Sequence, residues 1–93
     1  MSSVTRKVRV EGRVQGVWYR GWTVDKAKGL GLSGWVRNRR DGSVEAVFRG
    51  SETAVAEMLR LCGEGPPAAH VTGVTVTDIF DPVEDCFVQL RTE

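Results

Sequence analysis

Val4, Val8 and Val10 stand among Arg and Lys residues, an alternation with period two that predicts a strand ending near Gly12. Residues Arg13–Tyr19 fit neither the strand nor the helix period and contain Gly16, so they read as a loop. From Arg20 to Leu30 the larger apolar side chains fall at Trp22, Ala27 and Leu30, with Lys26 and Lys28 off that stripe. This is a weakly amphipathic helix, and Gly29 and Gly31 bracket its end. Trp35 and Val36 then lead through Asn38 and Asp41-Gly42 to Val44, Ala46 and Phe48. Asp-Gly between two strand-like runs predicts a hairpin with a type I′ turn. Ser51 is placed to cap a second helix, with Glu52 favourable in its first turn. Val55, Met58, Leu59 and Cys62 give its apolar face at i, i+3, i+4 and i+7, and Gly63 and Gly65-Pro66-Pro67 end it. Val71–Thr77 is a Val/Thr-rich strand, Asp81-Pro82 a turn, and Cys86–Arg91 a last strand carrying Phe87, Val88 and Leu90.

The order β-α-β-β-α-β predicts an α+β, ferredoxin-like sandwich: an antiparallel sheet with two helices on one face, the final strand extending it or pairing beside its neighbour. Many unrelated activities use that architecture, so function must come from the site. The 93 residues are expected to form a single domain over residues 1–93, too short for separate cofactor and substrate domains. Thirteen basic against 12 acidic residues leave a net charge of +1, far from the balance of a dedicated nucleic-acid binder. Cys62 and Cys86 have no metal-ligand spacing and are too few for a disulfide scaffold. The start Met1–Lys7 lacks the apolar run of a secretion signal, and no segment has membrane-spanning length. The expectation is a cytoplasmic monomer without membrane or nucleic-acid partners.

Two segments offer chemistry. In Gly12–Arg20, the passage from strand to helix leaves backbone N–H groups unpaired, and Gly16 permits the torsions of a concave anion nest. Arg20 could fold its guanidinium over the same space, although a tight turn with a surface arginine is the plainer reading of spacing alone. In Gly34–Gly42, Asn38 carries an amide able to hold and aim a water, or simply to bond its own turn. Arg37, Arg39 and Arg40 read as a solvated hairpin rim able to steer an anion. Trp22 and Trp35 read as core residues, while Trp18 could edge a binding mouth. The lone His70, before a strand, and the acidic turn of Asp78, Asp81, Glu84 and Asp85 read as structural or solvated, Cys62 as core, and Cys86 as a strand residue.

At these two segments the chain resembles the acylphosphatase family. Gly12–Arg20 is similar to that family's G-R-V-Q-G-V-x-F-R signature, and Gly34–Glu45 to its G-W-V-R-N-x-x-D-G-x-V-E signature. The spacing between them agrees, Gly65-Pro66-Pro67 with Ala69 and Val71 fits the family's later turn, and the likeness covers nearly the whole chain. Tyr19 departs from the pattern, standing where the family has Phe; a buried hydroxyl would need a partner. The resemblance implies hydrolysis of acyl phosphates, small-molecule mixed anhydrides, to carboxylate and inorganic phosphate. It implies that Arg20, with backbone N–H groups of Gln15, Gly16, Val17, Trp18, Tyr19 and Arg20, binds the phosphoryl group, and that Asn38 orients the attacking water. No metal, no cofactor and no phosphoenzyme are expected. The inventory suits this, because a carboxylate leaving group has a conjugate acid of pKa about 4–5 and needs no general acid. Two alternatives differ in class. A non-catalytic acylphosphatase-like phosphate-binding module would normally be fused to other domains, so the short chain favours the enzyme. An RNA-binding domain of the RRM kind would need a Lys/Arg-Gly-aromatic run that the sequence lacks.

Overall fold

The computed structural model describes residues 3–80 and 82–93. Five strands and two helices follow in the order β1 (Ser3–Arg13), α1 (Tyr19–Gly29), β2 (Ser33–Asn38), β3 (Val44–Ser51), α2 (Glu52–Glu64), β4 (His70–Asp78) and β5 (Phe87–Gln89). The expected Asp81-Pro82 turn falls in part on Asp81, outside the described residues. The sheet order is β4-β1-β3-β2-β5. β1 pairs antiparallel with both β3 and β4, and β2 antiparallel with β3. β5 instead lies parallel to β2, Trp35 opposite Val88. The sheet is therefore mixed, a departure from the antiparallel sheet expected. The cause is directional: β4 and β5 lie on opposite edges, and the chain crosses one end of the sheet between them. It then runs back up, opposite to β4 and so along β2.

Strand alternation divides the sheet into a helix side and an open side. Val8 and Val10 of β1, Val36 of β2 and Ala46 and Phe48 of β3 are buried in the core with Trp22 and Ala27 of α1 and Val55, Met58 and Cys62 of α2. Phe87 of β5 joins them by stacking on Phe48, ring centroids 5.4 Å apart. Because Gly34 and Val36 point to the helix side, Trp35 points away from it. It is half-buried on the open side, not in the core as expected, with the Arg37 guanidinium 4.7 Å above its ring. Arg37 is likewise no solvated rim residue: it is paired with Glu45 at 2.8 Å and with Glu93 at 2.6 Å. Glu45 also meets Lys7 at 3.1 Å. Burial alone would raise the Glu45 carboxyl, but Lys7 and Arg37 outweigh it and hold the group below its ordinary range.

Two local expectations change in detail and a third holds. The β2–β3 hairpin does not use a type I′ turn, since Gly42 has positive φ and Asp41 does not. A turn closed by Gly42 N donating to Arg39 O at 3.1 Å precedes it. The Asp41 carboxylate then accepts from Ser43 N at 2.9 Å and Ser43 Oγ at 2.6 Å, a side-chain turn that competes with the tighter backbone one. Cys86 is exposed and precedes β5 instead of lying in a strand, although its carbonyl accepts from Gly34 N at 3.0 Å. Ser51 does cap α2, accepting from Ala54 N at 3.2 Å.

Tyr19 resolves its extra hydroxyl inside the core. It is 2% exposed, and its Oη donates to Cys62 O at 2.6 Å, one of the last carbonyls of α2 that the helix leaves without a partner. Burial pushes the phenol well above its usual range, so it stays a donor. Tyr19→Phe should cost roughly 1–2 kcal/mol in urea denaturation, because Cys62 O is then left buried without a donor. For Glu45 the folded pKa lies below the unfolded value of about 4.3. Its stabilisation is thus present above that pH and lost as pH falls through the folded pKa. Glu45→Gln should lower stability at pH 7 by roughly 1–3 kcal/mol and flatten the acid limb of a stability-against-pH curve.

Candidate active site

The strand directions bring three chain segments to one end of the sheet. β1 runs up into the loop before α1, β2 runs up to Asn38 and the hairpin, and β5 runs up beside β2 to Gln89. At this end Val14, Gln15, Gly16, Trp18, Tyr19, Arg20, Gly21, Asn38 and Gln89 line a pocket of about 200 Å³. Of the residues expected to bind phosphate, all but Val17 line it; Val17 is half-buried and packs against the core.

The loop takes its shape from two left-handed residues. Gly16 has φ 74°, which glycine adopts freely. Trp18 has φ 67° and ψ 22° and is the N-cap of α1. A bulky side chain in that region costs roughly 1–2 kcal/mol, strain that the surrounding structure must hold. The first helical bond of α1 runs from Trp22 N to Trp18 O at 3.0 Å. The N–H groups of Tyr19, Arg20 and Gly21 therefore have no partner within the helix, and no side chain caps this terminus. Unpaired donors together with the positive end of the helix dipole favour an anion there. Arg20 adds a guanidinium that forms no ion pair among the described residues.

Asn38 closes the other side. The residue is 9% exposed, and its Oδ1 is buried without a hydrogen-bond partner, an acceptor left open for a ligand or water. Its backbone is held on both flanks, paired with Val44 of β3 and accepting from Glu93 N at 3.0 Å. The loop and the hairpin are tied together by the Gln15 side chain, whose Nε2 donates to Arg39 O at 2.7 Å and Ser43 O at 2.9 Å. The sequence points to Gln15 only through its backbone N–H; the side-chain role spans 24 and 28 residues and has no local signature. Gln89 was also missed, since it reaches the pocket through a parallel pairing that no sequence period announces.

The remaining candidates lie apart. Ser43 bonds, reinforced by Arg9, hold the Asp41 carboxyl below its usual range, and Arg9 and Asp41 pair beside the hairpin tip. Cys62 is buried, its thiol pushed up to about 12 by burial, which leaves it protonated and unreactive at neutral pH. His70 opens β4 on an exposed edge and does not line the pocket. Among the described residues no three His, Cys, Asp or Glu side chains converge as a metal site, and no helix is long and apolar enough to cross a membrane.

Comparison with known proteins agrees with this architecture. The acylphosphatase family model matches residues 6–88. The chain is 59% identical over 85 residues to an acylphosphatase of Rhodospirillum rubrum, covering 91% of this chain and 93% of that one. It is 49% identical over 89 residues to one of Rhizorhabdus wittichii, covering 96% and 90%. Among solved structures, an acylphosphatase from Coxiella burnetii superposes with a TM-score of 0.91 at 34% identity, covering 95% of this chain and 93% of the other. The acylphosphatase from Bacillus subtilis gives 0.88 at 32% identity, with 94% and 98% covered. The family model spans most of the chain and the relatives agree in both sequence and fold, so the chain belongs to the acylphosphatase family.

Proposed function

We propose that the pocket hydrolyses acyl phosphates by direct attack of a water that Asn38 orients, with the phosphoryl group held by Arg20 and by backbone N–H groups of Gln15–Arg20. Membership of the acylphosphatase family supports the reaction class. The observation that carries the residue assignment is the buried, unpartnered Asn38 Oδ1 in the same pocket as Arg20 and an uncapped helix terminus. A phosphoryl group seated on the free N–H groups would present phosphorus toward the middle of the pocket. Asn38 Oδ1 would accept one hydrogen bond from the water and turn a lone pair toward phosphorus. The water oxygen forms the new P–O bond while the bond to the acyl oxygen breaks and its electron pair leaves with the carboxylate. The water's proton passes to a phosphoryl oxygen.

Arg20 and the N–H groups stabilise the negative charge spread over the phosphoryl oxygens, the dominant requirement of such transfers. The carboxylate departs unprotonated, its conjugate acid having a pKa of about 4–5. That is why two polar side chains and a backbone nest suffice in a pocket without an acid–base pair. Gln15 acts through the hairpin, fixing the distance between cradle and water. The reading treats residues 1–93 as one acylphosphatase-like domain, monomeric and cytoplasmic. Two free cysteines fit a reducing compartment.

Hydrolysis of benzoyl phosphate, followed by absorbance with EDTA present, tests the assignment. Arg20→Ala should lower kcat/KM by about a thousandfold and weaken inhibition by inorganic phosphate. Asn38→Ala should lower kcat by roughly a hundredfold while phosphate inhibition changes little, because water and not phosphate loses its partner. Full activity of Asn38→Ala would remove the water-positioning role. A folded wild type that binds phosphate without turnover would make the chain a binding module instead.

A further inference from the structure

We propose that the Trp18 indole forms the acyl-binding wall of the pocket and selects substrates whose acyl part is flat and apolar, an aroyl phosphate over a short or anionic one. The inference rests on the acyl phosphate reading and extends it to the half of the substrate that the phosphate cradle does not hold. Trp18, Val76, Phe80 and Val88 are the large hydrophobic side chains exposed among the described residues. Of these, Trp18 alone lines the pocket, and it is 63% exposed there. An apolar ring left mostly in water at the mouth of a polar pocket takes no part in the core, and its open surface is available to a ligand.

Two features hold the ring where it is. The left-handed backbone at Trp18 turns its side chain out of the loop, a conformation that a bulky residue keeps only under constraint. The indole then lies against the first turn of α1 at Gly21. A Cβ on Gly21 would come within 2.7 Å of Trp18 Cδ1 and 2.9 Å of Cε2, and closer still to Nε1. Glycine at this helical position therefore leaves space that the ring fills, one residue beyond Arg20. The acyl carbon is joined to phosphorus through a single oxygen. With phosphate on the loop N–H groups, the acyl group must lie along a wall of the same pocket, within reach of the indole. A flat aromatic acyl group can stack there with offset geometry. A second anionic group on the acyl part would find no cation of its own, since Arg20 is the one charged side chain among the described lining residues and the phosphoryl group engages it.

The test compares kcat/KM for benzoyl phosphate and acetyl phosphate in wild type, Trp18→Ala, Trp18→Phe and Gly21→Ala, with inorganic phosphate inhibition measured in each. Trp18→Ala should lower the benzoyl-to-acetyl ratio roughly three- to tenfold, the range expected for one aromatic contact. Gly21→Ala should lower the same ratio by displacing the ring, and Trp18→Phe should keep most of it. If Trp18→Ala also weakens phosphate inhibition, the loop itself has changed, and Gly21→Ala decides the matter because it retains the tryptophan. A ratio that stays at the wild-type value in Gly21→Ala and Trp18→Ala, or Phe serving no better than Ala, overturns the proposal. A wild type inert toward both substrates would overturn the acyl phosphate reading instead.

Discussion

One side-chain amide ties the loop after β1 to the β2–β3 hairpin, above the point where the β1–β3 ladder ends. Gln15 Nε2 donates to the carbonyls of Arg39 and Ser43, at opposite sides of the β2–β3 hairpin. Each carbonyl also accepts a backbone N–H, Gly42 N on Arg39 O at 3.1 Å and Arg39 N on Ser43 O at 2.8 Å, so the amide supplies a second donor to a neck that the backbone closes. What the amide adds is the tie to the anion-binding loop, which sets the height of that loop relative to Asn38. A phosphoryl cradle and a water-orienting oxygen are useful only at a set separation, and effects of this kind decay over about 1 Å of misplacement. Everything else at this end of the sheet can be described as support for that distance: Glu93 against Asn38 O, Asp41 on Ser43, and Val14 buried beneath the loop.

The core and the site use polar groups in opposite ways. Among the described residues, the buried polar side chains of the core find partners within the protein, as with Tyr19 on Cys62 O and Thr23 Oγ1 on Tyr19 O at 2.8 Å. On the open face Glu45 is surrounded by Lys7, Arg37 and Arg39. At the pocket the pattern reverses: Asn38 Oδ1 has no partner, the terminus of α1 has no cap, and Trp18 holds a costly backbone conformation. Unsatisfied donors and acceptors are expensive wherever they occur, so their collection at one end of a well-satisfied fold marks where a ligand completes the bonding. Tyr19 stands at the boundary, with its hydroxyl in the core and its residue lining the pocket.

Elements bounded by their own chemistry were readable along the chain. The apolar face of α2 and its Ser51 cap, the alternation of Val8 and Val10, and Val44, Ala46 and Phe48 are local patterns, and the structure keeps them. The two signature segments were likewise legible, and Gln15, Gly16, Trp18, Tyr19, Arg20 and Asn38 do gather round one pocket. Trp35 was misread because Trp35 and Val36 are adjacent apolar residues, and period two can hide only one of them on the helix side. The turn type was misread because Asp41 bonds forward to Ser43, an option that the Asp-Gly pair does not exclude.

The amino-acid sequence by itself determined the succession of elements, the family and the residue types available for phosphoryl chemistry, because these depend on neighbours within a few positions or on long motifs in register. Tertiary structure decided that β5 runs parallel to β2, that Gln15 spans to the hairpin, that Gln89 reaches the pocket and that Arg37 is locked between Glu45 and Glu93. Each of those contacts joins residues far apart in the chain. Which of them form is set by strand direction and by competition for the open side of the sheet, and local propensity carries no information about either.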